Sequence, residues 1–354
     1  MQITITDIHK RYGDVVALDD PSFEIPSGST FGVLGTNGAG KSTLFGLLVG
    51  HDRPDSGTID VGGLDVEEAG HRVRERVGFL PEHSGFPGSL TGREVLSTHA
   101  RIRGLENRDE RIEDVLELVG LSDAANRAVS GYSNGMGRRL GLAAALLPEP
   151  PVLVLDEPTA GLDPRGVAAF HDIVTRIGNE TDTTVVLSSH VLSEVESLCD
   201  HVAILHDGHL HASGSVEALC ATGDTATVSV ATTSPDARIH LLDELQLRVE
   251  DLEVVRHDGS SDRLELRCDR NRAFDLVAHL ESDLVERFEV REPGLEAAFH
   301  RAIDGESVSE PVSESVPVAD EPTRDDEVRS ESTEPAGGDT VLAEGDAAPA
   351  EVGR

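Results

Sequence analysis

Through the first 222 residues, short apolar runs such as Val152-Leu153-Val154-Leu155 and Thr184-Val185-Val186-Leu187-Ser188 alternate with stretches of helical periodicity. Runs that are apolar at every position read as parallel strands buried on both faces, and their alternation with helices predicts a layered α/β domain. Residues 223–303 carry a different rhythm. They predict strand Ala226–Val230, helix about 235–247, strand Leu252–Arg256, a turn at Asp258-Gly259, strand Arg263–Arg267, helix 272–283, strand Glu286–Val290 and helix Leu295–Ile303. The first six elements give β-α-β-β-α-β, the order of a ferredoxin-like split fold, so a small accessory α+β domain is expected. From 304 to 354 the chain has no aromatic residue, one leucine and abundant Glu, Asp, Ser, Pro and Gly. Such a segment cannot bury enough apolar area to offset its ordering entropy, and a disordered acidic tail is expected.

Charge adds a constraint on the surroundings. The 66 acidic residues face 30 basic ones, for a formal charge of -36. The tail carries 15 Asp+Glu and 3 Arg, a net of -12, which leaves -24 on residues 1–303. A folded body this acidic repels itself in dilute buffer, whereas concentrated salt screens it within a few ångströms. A halophile's cytoplasm is expected, ahead of an acidic partner-binding surface, which would cluster the charge. The same field disfavours nucleic acid and anionic lipid as partners. No apolar run approaches the roughly 20 residues that span a bilayer, and the start Met1-Gln2-Ile3-Thr4-Ile5-Thr6-Asp7 has neither a basic region nor an apolar core, so a cytoplasmic location is expected. Cys199, Cys220 and Cys268 are odd in number and too far apart for a Cys-x-x-Cys metal site; they read as inert thiols.

The chemistry begins at Gly35-Thr36-Asn37-Gly38-Ala39-Gly40-Lys41-Ser42-Thr43, between the apolar run Phe31-Gly32-Val33-Leu34 and a helical stretch. Glycines at this spacing let the backbone curl around a polyphosphate, and the helix start adds its positive end. Lys41 supplies a point charge for the terminal phosphates and Ser42 a hydroxyl for Mg²⁺. Lysine is otherwise nearly absent from the chain, which keeps only Lys10 and Lys41. The strand 152–155 ends in Asp156-Glu157, which suits Mg²⁺ binding by the first carboxylate and activation of the attacking water by the second. His190, just past the strand at 184–188, is placed to meet the γ-phosphate.

Tyr132-Ser133-Asn134-Gly135-Met136, followed by Arg138-Arg139-Leu140-Gly141-Leu142-Ala143, lies just before the acidic strand. With it, residues 1–222 resemble the nucleotide-binding domain of ATP-binding cassette (ABC) transporters, with a helical subdomain at about 86–150. The resemblance implies an ATPase using ATP and Mg²⁺, in which Ser133, Asn134, Gly135 and Met136 serve the ATP bound to an opposing subunit. The active unit is then a head-to-tail dimer, with itself or a homologous subunit. It also implies that Tyr12 stacks on adenine, that Asp163, in Ala160-Gly161-Leu162-Asp163-Pro164, couples the two sites, and that His190 is the switch histidine. Where many relatives have glutamine, this chain has Glu82, which keeps an acceptor able to reach Mg²⁺ or its water but loses the amide donor.

Separate integral membrane permease subunits are implied, docking at the Glu82 loop and Phe86–Arg103, with the chain peripheral at the inner face of the membrane. Glu292-Pro293-Gly294-Leu295-Glu296-Ala297-Ala298-Phe299 resembles a C-terminal motif of drug- and antibiotic-export ATPases. A weaker likeness, in Leu80-Pro81-Glu82, Leu90-Thr91-Gly92-Arg93-Glu94 and Ser189-His190-Val191-Leu192, is to the ATPase of the exporter that matures the copper sites of nitrous oxide reductase. The substrate expected is a drug-like compound or a copper or sulfur species. The alternative is a soluble ABC ATPase without a transport role, as in iron–sulfur assembly. His206-Asp207-Gly208-His209-Leu210-His211 raises the idea of a metal site, with His209 and His211 on one strand face, but reads better as a surface hairpin turning at Asp207-Gly208.

Overall fold

The computed structural model describes residues 1–221, 225–248, 252–256, 263–280, 283–291 and 294–304. The expected turn at Asp258-Gly259 and the expected disordered tail 304–354 lie outside these, apart from Asp304, which ends a helix. Strands β1 (Ile3–Tyr12), β2 (Val15–Asp19) and β3 (Phe23–Ile25) open the chain. They are followed by β4 (Thr30–Leu34), α1 (Lys41–Leu48), β5 (Ser56–Val61), α2 (Val66–Arg76) and β6 (Val77–Leu80). β1 pairs antiparallel with β2, β3 and β5 in a small sheet. Three helices come next, α3 (Gly92–Ile102), α4 (Arg108–Leu118) and α5 (Asn134–Leu146). Then come β7 (Val152–Leu155), α6 (Pro164–Glu180), β8 (Thr184–Ser189), α7 (Leu192–Leu198), β9 (His201–His206), β10 (His209–Ser215) and α8 (Val216–Ala221).

The main sheet runs β10-β9-β4-β8-β7-β6, parallel except for the hairpin strand β10 at its edge. Every residue of β4, β7 and β8 is buried, as continuous apolar runs require. The two-residue period of a strand divides them between two cores. Leu153, Leu155, Val185 and Leu187 face a core shared with the helices of the subdomain, while Val152, Val154 and Val186 face one shared with α1 and the small sheet. The carboxyl ends of β4, β7 and β8 thereby come side by side, the edge of an open α/β sheet where ligands bind.

The remaining described strands are β11 (Thr225–Thr232), β12 (Glu253–Arg256), β13 (Arg263–Asp269) and β14 (Val285–Arg291), interleaved with α9 (Pro235–Arg248) and α10 (Ala273–Ala278). They form a separate antiparallel sheet in the order β12-β13-β11-β14 over a third core that includes Val228, Val230, Leu241, Leu264, Leu266 and Leu276. α10 is shorter than the expected helix 272–283, because His279 and Leu280 donate to Leu276 and Val277 in tight three-residue turns that end it. α11 (Leu295–Asp304), grouped by the sequence with the accessory domain, packs instead into the first core through Leu295, Ala298 and Ala302. Among the described residues no helix is long and apolar enough to cross a membrane. All three cysteines are free, and burial pushes each thiol up, which leaves them little thiolate.

Candidate functional site

The loop after β4 turns into α1 through Gly40, whose φ of 101° belongs to the left-handed region. A Cβ there would meet the Ala17 carbonyl oxygen at 2.4 Å, so only glycine fits. Gly38 is also left-handed, and space for a Cβ is open around it, a cradle on the solvent side of the loop. Asn37 to Thr43 line a cavity of about 440 Å³ together with Val15, Val16, Ala17, Glu82, Glu157, Ala160 and His190. Lys41, 6% exposed, donates to the carbonyls of Gly35 at 2.7 Å and Thr36 at 3.1 Å. Its ammonium also lies 3.2 Å from Glu157 Oε1.

Glu157 follows the end of β7 with a positive φ of 42°, a strained backbone that holds its side chain in the cavity. Its amide is held by Ser188 Oγ at 2.7 Å, and His190 Nδ1 donates to Oε2 at 2.8 Å. Oε1 is buried with no hydrogen-bond partner, since the approach to Lys41 is an ion contact outside hydrogen-bonding geometry. A buried carboxylate oxygen left in this way is a proton acceptor facing the loop. Asp156 Oδ1 accepts from Ser188 Oγ at 2.7 Å and from Ser42 Oγ at 3.3 Å. A hydroxyl and a carboxylate at this separation fit adjacent positions around Mg²⁺, whose oxygen ligands at 2.0–2.1 Å lie about 3 Å apart. The cradle, the cation and the oxygen donors therefore suit a magnesium polyphosphate.

Ser188 and Arg138 are the residues of this site to which the sequence reading gives no role. Arg138, 6% exposed, donates to the carbonyls of Pro81, Glu82, Asp156, Glu157 and Pro158, and burial lowers its pKa. It fastens α5 to the ends of β6 and β7. Its spacing to Leu142 and Ala145 places it on the buried stripe of α5, a signal legible in the chain.

Ser133, Asn134 and Gly135 are elsewhere. They line a second cavity of about 420 Å³ with Arg139, Leu162, Asp163 and Arg165. Ser133 caps α5 by accepting from the Met136 amide at 3.3 Å, and Asp163 caps α6 by accepting from Gly166 at 2.8 Å. Met136 packs against the first core rather than lining this cavity. Tyr12 does not line the phosphate-loop cavity either. Half exposed, it donates to Asp52 Oδ2 at 2.5 Å, and Lys10 lies 5.1 Å above its ring. Burial and the Asp52 carboxylate push Tyr12 up to about 12, while the Tyr12 hydroxyl and the Arg53 amide hold Asp52 down at about 2. Glu82 lines the loop cavity. The histidine hairpin turns at Asp207-Gly208, both with positive φ. An irregularity between Leu210 and Ala212 breaks the two-residue period, so the shared face expected for His209 and His211 does not form. His209 turns to Asp19 at 3.5 Å and His211 Nδ1 donates to the Ala302 carbonyl at 2.8 Å.

Residues 18–160 match the family model described as ABC transporter. The chain is similar to the bacitracin transport ATP-binding protein BcrA of Bacillus licheniformis, 40% identical over 59% of this chain and 68% of that protein. It is also similar to the daunorubicin resistance ATP-binding protein DrrA3 of Streptomyces coeruleorubidus, 42% identical over 61% of this chain and 69% of that one. Among solved structures it resembles cbiO1 from Clostridium perfringens, part of the ABC transporter complex cbiONQ, with a TM-score of 0.57, 28% identity, and coverage of 62% of this chain and 90% of that chain.

Proposed function

The chain belongs to the ATP-binding subunits of ABC transporters, and from that premise we propose that it hydrolyses Mg-ATP at the phosphate-loop cavity to drive export through separate membrane subunits. The observation that carries the proposal is the convergence of Lys41, Glu157, His190 and Ser42 on one cavity beside the loop, with Asp156 bonded to Ser42. Lys41 takes the charge of the terminal phosphates. Glu157 takes the proton of the attacking water at its unbonded Oε1, and His190, donating to Oε2, fixes the orientation of that carboxylate. Ser42, Asp156 and Glu82 would hold Mg²⁺, which when bound neutralises charge developing on the phosphates. Ser188 positions both acids at once, through the Asp156 carboxylate and the Glu157 amide.

Ser133, Asn134 and Gly135 serve a second chain's nucleotide, and Asp163, on the same cavity, couples the sites across a head-to-tail dimer with itself or a homologous subunit. The segment from Glu82 through Phe86 to Arg103 receives the membrane subunits, which holds the chain at the inner face of the membrane. A drug-like export substrate is favoured over a copper or sulfur species, because two relatives carry the names of bacitracin transport and daunorubicin resistance. The accessory sheet, with its strands in the order second, third, first, fourth, supports the ferredoxin-like reading of that region.

Glu157→Gln tests the central claim. Hydrolysis is expected to fall by orders of magnitude with ATP binding retained, and size exclusion in Mg-ATP should find a trapped dimer. Normal turnover, or a variant that stays monomeric with ATP, overturns the role of Glu157.

A further inference from the structure

Glu194 lies in the first turn of α7, and its side chain is 13% exposed while Ser193 and Glu196 on the same helix face water. A carboxylate turned inward loses its water and persists only where donors replace it. One of its oxygens has two. Thr159 Oγ1 donates to Oε2 at 2.7 Å, and Ser189 Oγ donates to the same atom at 3.1 Å. The other oxygen, Oε1, lies 3.9 Å from His171 Nε2, a buried ring nitrogen of α6 that has no hydrogen-bond partner.

The two donors belong to different segments of the phosphate-loop site. Thr159 stands two residues after Glu157, in the run that leaves β7, and Ser189 ends β8 just before His190. β7 and β8 pair as far as Leu155 and Leu187, so their ladder stops short of both functional residues. Past that point Ser188 holds the Glu157 amide, and one residue further along Glu194 ties Ser189 to Thr159. Ser189 Oγ also accepts from the Val191 amide at 3.0 Å, which turns the chain around His190.

We propose that Glu194 is a positioning residue for ATP hydrolysis, whose Oε2 clasps the segments carrying Glu157 and His190 and so maintains the 2.8 Å bond from His190 Nδ1 to Glu157 Oε2. The kinetic role rests on the hydrolytic reading above; the clasp itself needs no nucleotide. His190 is half exposed, so burial does little to hold its ring in place. Without the clasp the ring and the carboxylate are free to part, and a general base misplaced by about an ångström costs rate. The phosphate loop is held apart from α7, through Lys41 and the loop carbonyls, so affinity for ATP is spared. Because both bonds end on one oxygen, glutamine can keep them on its single carbonyl oxygen, with its amide nitrogen toward His171 Nε2. Alanine keeps neither.

The test compares full-length variants in ATPase kinetics, in melting, and in the ring-nitrogen NMR signals of His190, assigned by their loss in His190→Ala and recorded without nucleotide. Glu194→Ala should lower kcat by about tenfold or more, keep KM for ATP within about twofold, and move the His190 signals. Glu194→Gln should keep all three near wild type. Thr159→Val should lower kcat by about fivefold, the scale of one hydrogen bond, and add nothing further in a chain that already carries Glu194→Ala. Wild-type kcat with unmoved His190 signals in Glu194→Ala overturns the proposal. So does a loss in Glu194→Gln as large as that in Glu194→Ala, which would assign the effect to charge, or lowered melting with unmoved His190 signals, which would leave a packing role alone. Should Glu194→Ala not fold, Thr159→Val and Ser189→Ala carry the same readouts, and unmoved His190 signals in both overturn the clasp. If the wild-type chain hydrolyses no ATP, the reading of the site fails, and the His190 signals still decide the clasp.

Discussion

The phosphate-loop cavity and the cavity at the start of α5 are nearly equal in volume yet built in opposite ways. In the first, Lys41 and Glu157 are buried and tied to each other, to His190 and to backbone carbonyls, so the charged groups are held by their own chain. In the second, Ser133 and Asn134 are exposed, and Ser133 and Asp163 accept from amides at the starts of their own helices. A site organised from within can fix a reacting group before any partner arrives. A surface that offers only helix starts can act on an anion brought to it, which suits a contribution to another chain's nucleotide.

The strongest way to break this comparison separates the two cavities genetically. Lys41→Ala should remove nucleotide binding. Ser133→Arg should leave binding in place and cut hydrolysis by roughly 10²–10³, the scale of losing an oriented donor at developing charge. Mixing the two inactive proteins should give more ATPase activity than either alone, because a mixed pair holds one intact site. No gain on mixing would mean that the second cavity does not serve the first across chains.

Arg138 joins the two regions, since α5 begins at the second cavity and Arg138 bonds to the strand ends that form the first. Arg138→Met would leave five carbonyls without their donor, three of them in buried hydrogen bonds, at a cost of about 3–5 kcal/mol. A drop in melting temperature of about 10 °C should follow, read by calorimetry. Unchanged melting would show that the two cavities are not mechanically joined through this residue.

Ionic strength acts on both regions through the charge of -24 carried by residues 1–303. As the Debye length falls from roughly 10 Å at 0.1 M to about 3 Å at 1 M, melting temperature and ATPase activity should both rise in KCl. The rise in activity should exceed that in nucleotide affinity, since bringing two acidic chains together is the step that screening helps most. Deleting residues 305–354 should leave most of the dependence in place. A melting temperature indifferent to KCl, or a dependence that vanishes with the tail, breaks the saline reading.

The smallest effect concerns the Tyr12–Asp52 pair. Asp52, held down at about 2 against an ordinary value near 3.8, contributes stability that is present above the latter and lost as pH falls toward the former. Its side chain is 38% exposed and therefore screened, so Asp52→Asn should only slightly flatten the acid limb of an unfolding titration below about pH 4. Tyr12 has the opposite sign: its share persists below about 10 and is lost as pH rises through about 12. An acid limb identical in the variant would detach this pair from the stability of the site.

What was legible in the chain follows from how its signals are distributed. The central strands of the main sheet are rich in Val and Leu because both faces are covered, and the phosphate loop and Asp156-Glu157 are contiguous motifs at strand ends. Ser188 was illegible as a positioning group because it reads as one more strand residue, although it holds both acids. Arg138 was hidden in a charged pair with Arg139, since charge suggests a surface and only the helical period places it inside. The packing of α11 into the first core and the divergence of His209 from His211 depend on tertiary contacts and on one strand irregularity, and local periodicity encodes neither.

Both lysines of the chain are buried, Lys10 at 8% and Lys41 at 6% exposure. One sits over the Tyr12 ring beside Asp52, and the other lines the phosphate-loop cavity against Glu157. The outer surface therefore presents no ε-amino group to acylation, ubiquitin attachment or amine-directed cross-linkers. A reagent that samples the whole exterior of most proteins would report here on two sheltered positions, one of them in the phosphate-loop cavity.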